Sequence, residues 1–198
     1  MLEETPSQTA GPYVHIGLMP GVIGIPFEPG RTWHRLAREG ARGERIRIEG
    51  VVYDGTGTPV RDAVLELWQP DAAGLFPGRD PGADPAFAGF GRAAADFESG
   101  LFVFETVKPG RVRMADGRLQ APHCSLLVFA RGINIHLHTR IYFDDEAAAN
   151  AEDPVLALVE QESRRRTLLA RRGLRDGAVV YRFDVYLQGP NETVFFDA

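Results

Sequence analysis

The chain has 198 residues, of which 44% are hydrophobic and 25% charged, the balance of one ordinary globular domain with a single core. A formal charge of −5 without a long basic block excludes the footprint of a nucleic-acid binder. No stretch approaches the roughly 18 apolar residues of a membrane helix, no basic n-region leads into an apolar run, and the single cysteine excludes an internal disulfide framework, so a cytoplasmic protein is expected.

Residues 1–43 read as an extended N-terminal arm, rich in glycine and proline and without sustained periodicity. An arm this apolar is expected to lie on a surface. Within it, "GRTWHRLAREG" predicts one short helix between Gly30 and Gly40. From Glu44 the texture changes to short alternating runs, "RIRIEGVVYD", "AVLELWQ", "LFVFETV" and "SLLVFA", separated by turn signals such as "DGTGTP" and "KPG". Runs at that spacing predict a mainly β domain over residues 44–198, an antiparallel β-sandwich with short helices. Between Trp68 and Arg92 the chain is too rich in Gly, Pro and Asp for a core strand, and loops of that length are usually functional. Cys124 reads as a small buried hydrophobe. Lys108 is the only lysine, which leaves arginine as every other fixed cation.

The stretch "RGINIHLHTRIYFDD" carries a His-x-His pair. If residues 133–143 form a strand, alternation sends Ile135, Leu137, Thr139, Ile141 and Phe143 to the core and His136, His138, Arg140 and Tyr142 to the opposite face. Two histidines two apart on a strand suit a metal, but the neighbouring arginine repels one and no carboxylate follows until Asp144. A surface or interface ladder is the better reading. Next, "EDPVLALVEQESRRRTLLARRG" predicts a helix with Asp153 as N-cap, Pro154 in the first turn and Gly173 as the stop. A late hairpin, "AVVYRFDVYLQG", closes the sheet.

Taken in order, "TPSQTAGPYVHIGL", "VYDGTGTPVRDAVLELWQPDAAGLF", "FGR", "TVKPG", "FARGINIHLHTRIYFDDE" and "YRFDVYLQGPNETVFFD" resemble the intradiol ring-cleaving dioxygenases, and among them the alpha-type chains. The resemblance spans essentially the whole chain. It implies a β-sandwich, an alpha chain paired with a homologous beta chain in an assembly of several such pairs, and a non-haem ferric iron held by two tyrosines and two histidines. The family's first tyrosine stands eight residues after the tryptophan of the "WQ" strand, which here is Phe76; its second falls two residues past "KPG", at Val112; its histidine pair falls on His123 and Ser125. Three of those four ligands are missing, and phenylalanine and valine offer no donor atom at all. The resemblance therefore implies no catalytic residue and no metal in this chain, with Fe(III) on the beta subunit.

What such a chain lends, on the same resemblance, is part of the substrate pocket: the arm residues Thr9, Gly11, Pro12 and Tyr13, and Arg131, which would bind the carboxylate of protocatechuate. The reaction implied is insertion of both atoms of O2 between the hydroxyl-bearing carbons, giving 3-carboxy-cis,cis-muconate. Two alternatives stand beside it. One is a self-sufficient dioxygenase with a rearranged iron site at His136, His138 and Tyr142. The other is a non-catalytic binding module on the same sandwich.

Overall fold

The computed structural model describes residue 11 and residues 13–26 and 32–197. A five-residue helix α1 (Val14–Leu18) and a 3-10 turn at Pro20–Ile23 precede the strands. These are β1 (Arg45–Tyr53), β2 (Val64–Trp68), β3 (Phe90–Ala94), β4 (Leu101–Val107), β5 (Val112–Arg113), β6 (Leu119–Gln120), β7 (His123–Phe129) and β8 (Leu137–Phe143). After α2 (Ala147–Glu152) and α3 (Glu162–Arg165) come β9 (Leu169–Arg175), β10 (Ala178–Arg182) and β11 (Val185–Tyr186).

Alternation explains the strands. In β1, Ile46 and Ile48 are buried while Arg45 stays exposed, and in β7 Cys124, Leu126 and Val128 point inward. One sheet of nine strands runs β11-β1-β10-β9-β8-β7-β2-β3, with β4 on the other edge of β1, and β5 and β6 form a separate pair. Strand β9 is the corner: Leu169 and Ala170 pair with β8, and Arg171 to Arg175 pair with β10. The two halves it joins share one core, where Ile48, Val52, Phe102 and Phe104 meet Leu65, Leu67, Leu126, Ile141 and Phe143. A mainly β fold is what the sequence predicts, but the ladders are mixed, with β1–β10, β1–β11 and β8–β9 parallel.

Four local expectations are corrected. Over the described residues 32–40 there is no helix; Arg35 bridges to Glu105, Ala37 to Phe87, and Leu36 enters the core, so this segment is held by strand-like contacts. The helix from Asp153 to Gly173 breaks into a 3-10 turn at Leu156–Leu158, the one-turn α3, a second 3-10 turn at Arg166–Leu168, and β9. Sheet pairing to β8 and β10 outweighs the helix propensity of its arginines and leucines. The late hairpin is instead β9–β10, turned by Asp176 and Gly177 at φ 52° and 78° in the Asp-Gly pattern of a tight hairpin. Strands β10 and β11 both lie beside β1. Finally, Ile135 is 55% exposed at φ 61°, outside β8, while Leu137, Thr139, Ile141 and Phe143 do face the core side.

Candidate functional site

Strands β3, β2, β7 and β8 present one outward face. Their register places Phe90, Trp68, Ser125 and Arg140 in one row and Arg92, Glu66, Leu127 and His138 in the next. Trp68 is half exposed and packs on Phe90 with ring centroids 4.5 Å apart. Arg92 is ion-paired to Glu66 and donates from Nη1 to the carbonyl of Leu18 at 2.9 Å. The arm thus lies on this face, as its apolar character predicts, with His15 and Pro20 buried.

Of the four positions that the resemblance sets against the family's ligands, Phe76 and Val112 lie on segments in close approach, and His123 and Ser125 on β7. Gly74, at φ 82°, lies so close to Arg111 that a Cβ there would stand 2.0 Å from the Arg111 carbonyl oxygen. That approach sets the loop bearing Phe76 beside the start of β5, and only glycine permits it. Val112 pairs with Gln120, three residues before His123. Ser125 follows on the same face of β7. Phe76 carries the Arg79 guanidinium 4.3 Å above its ring, and its amide donates to Asp80 Oδ2 at 2.8 Å.

His123 is 5% exposed, and its Nδ1–H donates to the Ala121 carbonyl at 2.8 Å. Burial, reinforced by the Arg140 charge, holds its pKa down to about 4. A base depressed in the fold favours the neutral form, so its contribution is full above the unfolded value near 6.5 and is lost as pH falls towards 4. Denaturant titration should lose about 3 kcal/mol across that window on this account, and His123→Gln should flatten the loss. An equally steep loss in the variant would remove His123 as its cause.

Around His123 the interior is filled. Tyr142 lies opposite it, fully buried, and donates to Asp153 Oδ1 at 3.2 Å; Ala121, Ala149, Leu156 and Leu168 complete a second small core. Burial pushes the Tyr142 phenol up. Tyr142 is thereby committed inward, away from His136, whose ring sits 5.7 Å from that of Phe129, and from His138, which lies 6.0 Å from Phe196. The rearranged iron site is not assembled by this arrangement. Cys124 is fully buried, as expected, and burial pushes its thiol up.

Arg131 leaves the end of β7 in the turn before β8, 69% exposed, and its Nε is 2.6 Å from Asp62 Oδ2. The same Asp62 carboxylate acts on His15 of α1, whose pKa burial lowers and Asp62 raises. His15 in turn packs against Phe97 at 5.2 Å. Asp62 is thus ion-paired to Arg131 and near enough to His15 for its charge to be felt there. Gly11 is part-buried and its carbonyl accepts the Val14 amide at 3.1 Å; Tyr13 is 74% exposed; Thr9 and Pro12 lie outside the described residues. Sequence reasoning missed Asp62, because a single aspartate in a loop carries no spacing signal, and it read Asp153 only as a cap: Asp153 does accept the Val155 and Leu156 amides, but its bonds to Ala121 and Tyr142 come from residues distant in the chain.

A dioxygenase family model matches residues 30–189. The protocatechuate 3,4-dioxygenase alpha chain of Pseudomonas putida is 55% identical over all of this chain and 98% of its own length. The alpha chain of Burkholderia cepacia is 51% identical over 99% of this chain and 98% of its own length. The beta chain of Burkholderia cepacia is 34% identical over 76% of this chain and 67% of its own. Among solved structures, the dioxygenase domain of a dioxygenase carbohydrate-binding protein fusion from Streptomyces sp. SirexAA-E superposes with a TM-score of 0.58 at 21% identity, covering 97% of this chain and all of that one, which shows the shared fold. The chain belongs to the intradiol ring-cleaving dioxygenase family. Within that family its full-length likeness is to the protocatechuate 3,4-dioxygenase alpha chains.

The family depends on non-haem iron. The residues here do not fit that ion: Phe76 and Val112 offer no donor, Ser125 offers a neutral hydroxyl, and among the described residues no three His, Cys, Asp or Glu side chains are grouped to hold a metal. No helix of the described residues is long and apolar enough to cross a membrane.

Proposed function

We propose that this chain is the non-iron-binding alpha subunit of an alpha-beta protocatechuate 3,4-dioxygenase, and that a homologous beta subunit holds the ferric iron. The observation that carries the reading is the contrast within one chain: Phe76, Val112 and Ser125 stand where iron ligands would be needed, while Arg131, ion-paired to Asp62, still has guanidinium donors free to meet an anion. In the reaction, the bond between the two hydroxyl-bearing carbons breaks. Each of those carbons gains one atom of O2, so the ring becomes an open chain carrying two new carboxyl groups. Iron supplies the Lewis acidity for that chemistry when it is bound.

This chain's part is positioning. Protocatechuate carries a carboxylate at neutral pH, and the Arg131 guanidinium has donors beyond the Nε held by Asp62 with which to bind it. The arm, through Gly11, Pro12, Tyr13 and Thr9, lines the pocket mouth in this reading. Residues 1–43 thus act as a pocket wall and residues 44–198 as the scaffold on which the beta subunit docks.

The test is to purify the chain alone and co-expressed with a beta chain. A colourless, inactive chain that becomes part of a red complex cleaving protocatechuate supports the proposal; stoichiometric iron and activity in the lone chain would sink it. In the complex, Arg131→Ala is expected to raise KM for protocatechuate about tenfold, roughly 1.4 kcal/mol of binding, with kcat much less affected. An unchanged KM removes Arg131 from the site.

A further inference from the structure

A cleft of about 420 Å³ opens on the outer side of β9, β10 and β11, between those strands, the turn at Arg166–Leu168 and the C-terminal segment. That volume is within the range of small-molecule sites. Its lining includes Arg166, Arg171, Arg182, Asp184, Tyr186 and Asn191, so three guanidinium groups face one carboxylate.

The register sharpens the imbalance. Arg171 and Arg182 are direct cross-strand partners on β9 and β10, and like charges placed opposite each other on a sheet repel. Arg182 is compensated by Asp184 at 2.7 Å and by Glu49 at 3.9 Å, and Arg166 by Glu162 at 2.5 Å. The Arg171 side chain has no hydrogen-bond or ion-pair partner among the described residues, and nor does that of Asn191. Leu169, Phe183 and the ring of Tyr186 provide apolar wall beside these donors.

We propose that this cleft binds a small polycarboxylate, with Arg171 as the principal charge partner and Arg182 and Arg166 flanking it. The unpaired Arg171 charge calls for an anion, the donors that Arg182 and Arg166 keep beyond their own carboxylate contacts suit one with more than one carboxylate, and the apolar wall favours a carbon skeleton over a bare inorganic ion. Arginine suits the role because its planar fork accepts carboxylate in bidentate fashion.

The experiment uses tricarballylate as probe and the full chain co-purified with its beta partner, monitored by thermal unfolding and by calorimetric titration. Tricarballylate is expected to raise Tm and to bind with a measurable Kd, whereas acetate and sulfate at matched ionic strength do neither. Arg171→Gln is expected to weaken that binding by about tenfold or more, the worth of one charge-assisted pair, while Arg113→Gln, an equal charge change elsewhere on the surface, leaves it unchanged. Absence of binding, an equal effect of sulfate, or equal weakening in both variants would overturn the proposal. None of these outcomes depends on Arg131 or on turnover, so the proposal fails or stands separately from the dioxygenase reading.

Discussion

Replacing Asp153 with alanine is expected to lower the stability of the chain by about 3–5 kcal/mol, the cost of breaking a buried charged network. The Asp153 side chain is wholly buried. Its Oδ2 accepts the Ala121 amide at 2.6 Å, and its Oδ1 accepts the amides of Val155 and Leu156 at 2.9 and 2.7 Å and the Tyr142 hydroxyl at 3.2 Å. Alanine would leave those buried donors without their acceptor, and each orphaned donor costs about 1–3 kcal/mol. Because Ala121 and Tyr142 flank His123, the same change should loosen the packing around that histidine. Urea unfolding at pH 7 reads the effect directly. A loss below about 1 kcal/mol would mean that the carboxylate is not holding this region.

Gly50→Ala is expected to be as damaging, by about 4 kcal/mol or more, and to reduce soluble yield. Gly50 sits in β1 where its neighbours change: Glu49 is paired with Arg182 of β10, and Val52 with Val185 of β11. Between them the chain crosses at Phe183, whose amide donates to the Glu49 carbonyl at 2.8 Å, while Asp184 Oδ1 accepts the Val51 amide at 2.9 Å. A Cβ on residue 50 would fall 1.7 Å from the Phe183 carbonyl oxygen and 2.8 Å from the Phe102 ring. Backbone atoms pinned by ladder bonds on both sides cannot retreat, so the added methyl must push β10 and β11 away from β1. Wild-type stability in this variant, measured by the same unfolding experiment, would show that the crossing is loose.

The strands of β1, β2, β4 and β7 could be read from alternation alone, because a half-buried strand must alternate whatever it pairs with. Legible too were the burial of Cys124, the inward set Leu137, Thr139, Ile141 and Phe143, and the apolar arm that needed a surface. For the His-x-His pair the sequence offered its neighbours, an arginine two residues past His138 and no carboxylate nearby, while only the structure turned Tyr142 into the second core, away from both histidines. The segment after Asp153 was misread for a definite reason. Its leucines and arginines satisfy a helical pattern locally, yet Leu169 and Ala170 gain partners on β8 and the following residues gain β10, and those partners are distant in sequence.

Sequence by itself determined that Phe76 and Val112 carry no donor atom for a metal, because a side chain's donor atoms are fixed by its identity and no folding can give either an oxygen. Only the tertiary structure decided which charges meet. Asp62 pairs with Arg131, Asp153 closes the space around His123 and Tyr142, and Arg171 is left facing Arg182 across two strands. The first two depend on residues brought together by strand order, which is set by the summed burial of many side chains, and the third on a hairpin register that the Asp176-Gly177 turn fixes.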